Sequence, residues 1–318
     1  MKTLVQTLFK RNFSTLVNNN HFSIRSVLSE SINLLKQSEN VEISEGCELE
    51  SKILLSHSLG VDNHNDLYTK FKSDYQIPLD KYQQLRKSIE RRLKNEPISY
   101  IVGYKHFWKY KFKCNTSTLI PRPDSETLIE AVLDVYSGIE NKDTLEILDL
   151  GTGTGCLLLT LLKEIPNAKG VGVDQSIDAI NVAKDNAKSL EIQSTRCQFI
   201  QADWNQPNTF RKDMKFDIII SNPPYISDSD YQTLSPSLKY YEPKSALVAN
   251  DNGYQDYQSI GNLIKSLSLL KPNGYIFLEI GKDQHDKITS LMNSFGYKLL
   301  NYRYDLCEII RTLIFIHK

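Results

Sequence analysis

The sequence predicts an α/β fold: a doubly wound, mainly parallel sheet with a helical bundle domain ahead of it. Three observations predict it. From Ser125 onward, apolar runs of strand type alternate with helical stretches, the pattern of a parallel sheet covered by helices. Two of those runs end in turns rich in glycine or proline, Gly151-Thr152-Gly153-Thr154-Gly155 and Asn222-Pro223-Pro224-Tyr225. Residues 30–100 carry helical periodicity instead. A length of 318 residues with 40% hydrophobic composition accommodates two domains, at roughly 100–200 residues each.

Residues 1–29 stand apart. They carry Lys2, Lys10, Arg11 and Arg25 and no acid. Leu4, Leu8, Phe9, Phe13 and Leu16 can share a helical face, and Ser and Asn fill much of the rest. This is the composition of a mitochondrial transit peptide. Mitochondrial targeting is the expectation, a polar tail on a cytoplasmic protein the alternative. Without those four cations the balance is 34 basic to 38 acidic residues, a net −4.

Residues 30–103 form the expected helical domain. Ser26 to Gln37 aligns Leu28, Ile32 and Leu35 on one face; Glu48 to Leu59 stops at Gly60; Leu79 to Leu93 lies between Pro78 and Pro97. Substrate recognition is one reading of this bundle, plain packing the other. In 104–124, Phe107, Tyr110 and Phe112 alternate loosely with lysines, as in a short β-ribbon. Pro121 and Pro123 then stiffen a connector that holds Arg122 outward. It can act as a strap over a pocket or as a rigid linker. The basic residues from Arg86 to Lys113 could face RNA or an acidic partner, or be a solvated face.

In 125–318 the expected helices run from Ser125 to about Val135, Cys156–Glu164, Ile177–Ser189, Gly253–Leu270 and Gln284–Phe295. The expected strands are Leu145–Leu150, Gly170–Asp174, Gln198–Gln201, Asp217–Ser221 and Tyr275–Ile280. Two last strands, near Lys298–Tyr302 and Ile309–Ile316, have no helix between them. They predict an antiparallel hairpin at one edge.

In such sheets ligands sit outside the carboxyl ends of the strands, so both motif turns face one crevice. Glycines at 151, 153 and 155 let the backbone turn tightly and approach a ligand, and the following helix offers free N–H groups. Asp174 ends the next strand, where an acid accepts ribose hydroxyls. Asp203 and Trp204 end the third, where an acid and an indole can line an adenine. The dinucleotide fingerprint needs glycine where Cys156 stands, which disfavours a hydride enzyme. Asn222 and the Pro223 carbonyl can each accept one N–H of a planar NH2 group, Pro224 stiffens the turn, and Tyr225 offers a flat face. An amide or aromatic NH2 nitrogen is a poor nucleophile that needs alignment more than a titrating base. The pair of turns reads as a methyltransferase site using S-adenosylmethionine on an exocyclic NH2, with Asn222 next to the cofactor. Five scattered cysteines without CxxC spacing and six histidines without ligand spacing predict no metal and a reducing compartment. No apolar run approaches the roughly 18 residues of a membrane span. Zero net charge advertises no nucleic acid.

At these residues the chain resembles the HemK-type release-factor glutamine methyltransferases. Glu96 to Gly103, Leu119 to Glu126, Asp149 to Gly155, Asn222 to Tyr225, Tyr241 to Leu247 and Leu278 to Gly281 with Gln284 carry the likeness. The connector has Asp124-Ser125 where the family has Glu-Thr, and the later loop has Ala249-Asn250 where it has Gly-Gly. The resemblance implies a Rossmann-like class I domain and a helical domain that helps dock the substrate. It implies Gly151–Gly155, Asp174 and Trp204 as cofactor residues and Asn222–Tyr225 as glutamine holders. It also implies a partner, a class I peptide release factor whose Gly-Gly-Gln glutamine is methylated, organellar if the leader targets. A monomer is expected. The competing readings are a methyltransferase of nucleobase amines in RNA or DNA, and a cofactor-binding subunit without turnover.

Overall fold

The computed structural model describes residues 22–138, 144–206, 210 and 213–317. The transit-peptide reading of residues 1–21 lies outside the described residues. The chain divides into two compact units, 1–102 and 103–318.

The first unit is a bundle of α1 (Ile24–Lys36), α2 (Val41–Ser58) and α3 (Leu79–Arg92), with short turns of helix between and after them. Ser23 caps α1 by accepting from Ser26 N, so the 29/30 boundary read from the sequence falls inside this helix. Val27, Leu28, Leu35, Leu54, Leu55, Tyr82 and Leu85 fill the interior. Two arginines of α3 are buried with them. Arg86 pairs with Glu30 at 2.6 Å, and Arg92 holds Glu50 through two bonds of 2.8 Å. The basic run from Arg86 to Lys113 is therefore not one cationic face. Arg91 pairs with Glu96, Lys109 with Glu164 and Lys113 with Asp185. Sequence spacing hid this because each acid comes from a different element.

The second unit opens with the ribbon, β1 (Tyr104–Phe107) and β2 (Tyr110–Lys113), paired antiparallel. It is part of the α/β domain rather than a separate segment. Phe107 and Phe112 are buried in the same core as Leu128, Leu158 and Leu161. Asn186 of α6 (Ile177–Ser189) accepts from Lys113 N and donates to the carbonyls of Lys113 and Thr154. One buried amide thus ties ribbon, helix and glycine loop.

Besides short helical turns, the further elements are α4 (Glu126–Ser137), β3 (Glu146–Leu150), α5 (Cys156–Glu164), β4 (Lys169–Asp174), β5 (Cys197–Gln201), β6 (Phe216–Ser221), α7 (Gln255–Leu267), β7 (Leu270–Glu279), α8 (His285–Phe295), β8 (Tyr297–Tyr304) and β9 (Ile310–His317). The sheet order is β5-β4-β3-β6-β7-β9-β8. β3 to β7 are parallel, and β9 runs antiparallel between β7 and β8. Apolar cores lie on both faces of the sheet, as doubly wound layers require.

Several boundaries differ from the sequence reading: α2 starts at Val41, seven residues ahead of the expected Glu48, and the ends of α7 and the start of β7 also move. Helix α7 begins at Gln255 because Asp251, Asn252 and Gly253 all have positive φ. It ends at Leu267, where Ser268 turns left-handed (φ 50°) and buried Leu269 donates to Ile264 O. Leu270 then joins β7 opposite Phe216, so that strand starts five residues ahead of Tyr275.

Candidate active site

The site grows from the sheet. Leu150 and Ser221 are register partners on the adjacent parallel strands β3 and β6. Ser221 Oγ donates to Leu150 O at 2.6 Å in a fully buried bond. The two motif turns therefore leave the sheet side by side. In the first, Gly151 N and Thr152 N both donate to Val173 O at 2.9 Å, which folds the loop over the end of β4. Asp174 holds it there: its two oxygens accept from Gly153 N and Ser176 N, each at 2.9 Å. Each oxygen keeps a further lone pair. Thr152 Oγ1 donates to Asp149 at 2.6 Å beneath the loop. Burial pushes the Asp149 carboxyl up to about 7.

A cavity opens above these strand ends. Gly151, Thr152, Gly153 and Thr154 line it, with Asp174, Asp203, Trp204, Asn222 and Pro224. The structure thus brings together most of the residues singled out from sequence. Gly155, Pro223 and Tyr225 are not on the lining. Gly155 is the left-handed residue ahead of α5 and packs on Leu159 and Ala183. Pro223 is buried. The Tyr225 ring packs on Gly281, and its carbonyl accepts from Gln284 Nε2 at 3.1 Å. Burial raises its phenol to about 12.

The chemistry of the lining suits an adenosyl group. The Trp204 ring lies so close to the loop that a Cβ on Gly151 would meet it at 3.3 Å, whereas one on Gly153 would meet nothing within 4 Å. Indole and loop thus lie against each other on the cavity lining, with Asp174 on the same lining to accept hydroxyls. Asp203 accepts from Asn205 N at 2.8 Å, which fixes its turn while it borders the cavity. Cys156 borders the same space, and burial keeps its thiol neutral, pushed up to about 12.

Several functional neighbours have no spacing signal. Asp256 accepts from Trp204 Nε1 at 2.9 Å and so sets the indole plane. Ser125 accepts from Asn222 Nδ2 at 3.1 Å. Glu279, at the end of β7, is 1% exposed, and burial pushes its carboxyl up to about 7. Glu242 binds the connector: it accepts from Ile120 N at 3.0 Å and pairs with Arg122. Arg122 is therefore held at the cavity and not outward, because the buried Glu242 carboxylate pairs with it. Glu242 and Glu279 do lie within blocks that resemble the family, which was the signal available.

The loop with Ala249-Asn250 also resolves. Ile226 and Val248 form a parallel bridge, and buried Ala249 donates to Ile226 O at 3.0 Å. Gly253, with φ +89°, then passes against the Tyr225 carbonyl.

Comparison with known proteins agrees with this geometry. The PrmC N-terminal domain matches residues 26–103 and a methyltransferase domain matches residues 141–302. The release factor glutamine methyltransferase of Aliivibrio fischeri is 37% identical over 275 residues, covering 86% of this chain and 90% of that one. That of Francisella tularensis is 39% identical over 256 residues, covering 79% and 85%. The bifunctional methyltransferase of Rickettsia conorii is 36% identical over 314 residues, covering 92% of this chain. The chain spans 57% of that relative's length, and about half of others of that name. With an N-terminal and a catalytic domain both matched, the chain belongs to the release factor glutamine methyltransferase family of S-adenosylmethionine-dependent methyltransferases.

Proposed function

We propose that the protein transfers a methyl group from S-adenosylmethionine to the side-chain amide nitrogen of the Gly-Gly-Gln glutamine of a class I peptide release factor. The observation that carries this reading is the register pairing of Leu150 with Ser221, which sets the glycine loop and Asn222 on neighbouring strand ends. The cofactor, when bound, supplies an electrophilic methyl group. Gly151 to Thr154, Asp174 and Trp204, which line the cavity, would hold and orient it. Asn222 donates its own N–H to Ser125, which leaves Oδ1 to accept from the glutamine amide. That acceptance, with the Pro223 carbonyl, brings electron density to the amide nitrogen and fixes its line of approach. With the cofactor bound, the N–C bond would form as the S–C bond breaks, and the nitrogen would give up one proton to water. The helical unit serves to dock the release factor, a role supported by its match to the PrmC N-terminal domain.

The test is transfer of labelled methyl to a purified class I release factor, beside its Gly-Gly-Gln→Gly-Gly-Ala variant. Label on the first alone is the expected result. Asn222→Ala should lose at least ~100-fold in rate while binding S-adenosylmethionine normally. Label on added RNA or DNA with none on the release factor would move the reading to a nucleobase enzyme.

We further propose a mitochondrial location, supported by the basic, acid-free composition of residues 1–29. Helix α1 starts at Ile24, so a removable leader should end ahead of residue 22. A fluorescent fusion of residues 1–21 that stays in the cytosol would sink it.

A further inference from the structure

Glu279 lies at the end of β7, and its Oε2 has no hydrogen-bond partner among the described residues. A buried carboxyl with an unmet acceptor is costly, and packing alone gives no reason for one here. Ser125 and Asn222 lie close enough that their donor groups favour its charged form. Asn222 in turn donates to Ser125 Oγ at 3.1 Å. We propose that Glu279, acting with Ser125, is the positioning residue that decides which end of the Asn222 side-chain amide faces the methyl acceptor. The inference rests on the reading of this site as a methylation site for a planar NH2 group.

The two ends of an amide have nearly the same shape, so hydrogen-bond partners alone set its orientation. A carboxylate only accepts. It draws the Ser125 O–H toward itself, turns a Ser125 lone pair toward Asn222 and claims the Nδ2 end. Oδ1 is then the end left for the incoming N–H. A protonated Glu279 can donate instead. The Ser125 hydroxyl becomes free to rotate, and a flipped Asn222, presenting NH2 to NH2, loses its penalty. Glu279 is thus useful as a carboxylate and permissive as an acid.

Its surroundings place both forms within reach near neutrality. Burial is the largest influence and pushes the carboxyl up to about 7. Arg311 on β9 favours the charged form, and Asp124 in the connector opposes it. Tyr225, Tyr257 and Cys156 also feel its charge. Tyr257 Oη donates to the Glu279 carbonyl at 2.8 Å and fixes the main chain there.

The experiment pairs kinetics with a readout that needs no turnover. Glu279→Gln should lower kcat about 10- to 100-fold, move or abolish the rise of kcat with pH near neutrality, and leave the Kd for S-adenosylmethionine unchanged. Ser125→Ala keeps the carboxylate and should lower kcat in the same way. Separately, the Asn222 side-chain amide NMR signals, assigned by their loss in Asn222→Ala, should titrate near neutral pH in the wild type. They should ignore pH in Glu279→Gln. Wild-type amide signals that ignore pH, or a Glu279→Gln enzyme with unchanged kcat and pH profile, would overturn the proposal. If no release factor accepts label while the amide signals still titrate, the substrate assignment fails and the role of Glu279 stands.

Discussion

Gly253 shows how tightly the acceptor side is built. An added Cβ would sit 2.2 Å from the Tyr225 carbonyl oxygen, on a backbone at φ +89°. Gly253→Ala should therefore destabilise the protein by about 2–4 kcal/mol and shift the Asn222–Tyr225 turn. Thermal unfolding and the rate of methyl transfer would register the two effects. Side chains with a chemical signature were legible at this scale: the glycine loop, Asp174, Trp204 and Asn222 all meet at the cavity. Gly253 and Asp256 were not, because each acts on a partner far along the chain and nothing in local spacing marks such pairs; Ser125 lay in the connector block that resembles the family, with no role assigned to it. Tyr225 was legible as part of a motif, yet its ring packs on Gly281.

Among elements, the connector follows the strap reading and departs from expectation only at Arg122, which is held at the cavity and not outward. Residues 119–124 form a strap whose Pro121 and Arg122 line the cavity, and Glu242 holds it at two points. Removing that carboxylate leaves a main-chain N–H and a guanidinium without their partner. Glu242→Ala should speed proteolytic cleavage within 115–124 several-fold, and bound S-adenosylmethionine should restore protection. Cleavage at the wild-type rate would mean that the prolines alone hold the strap. The order of helices and strands was readable because hydrophobic period changes sharply between them. The ends of α7 were not, since Asp251, Asn252 and Ser268 adopt left-handed conformations that no glycine announces.

Across the whole molecule, charge behaves differently from its even total. The zero formal charge conceals acids placed where water cannot reach. Asp149 and Glu279 are both held near 7 by burial, against ordinary values of 3.8 and 4.5. Their folded forms keep protons that the unfolded chain has released, so the protein loses stability as pH rises from about 4 through 7. For Glu279 alone the loss reaches ~3 kcal/mol. Urea unfolding at pH 5 and pH 8 should show the lower midpoint at pH 8, with the difference reduced in Glu279→Gln. A flat profile in the wild type would refute this.

The bond between Ser221 and Leu150 has a further consequence. It makes the spacing between donor and acceptor subsites a property of the sheet ladder and not of the loops above it. Loops can then change length or composition over generations without misaligning the reaction. A scaffold of this kind lets acceptor preference diverge by surface changes alone, while the transfer geometry is inherited intact.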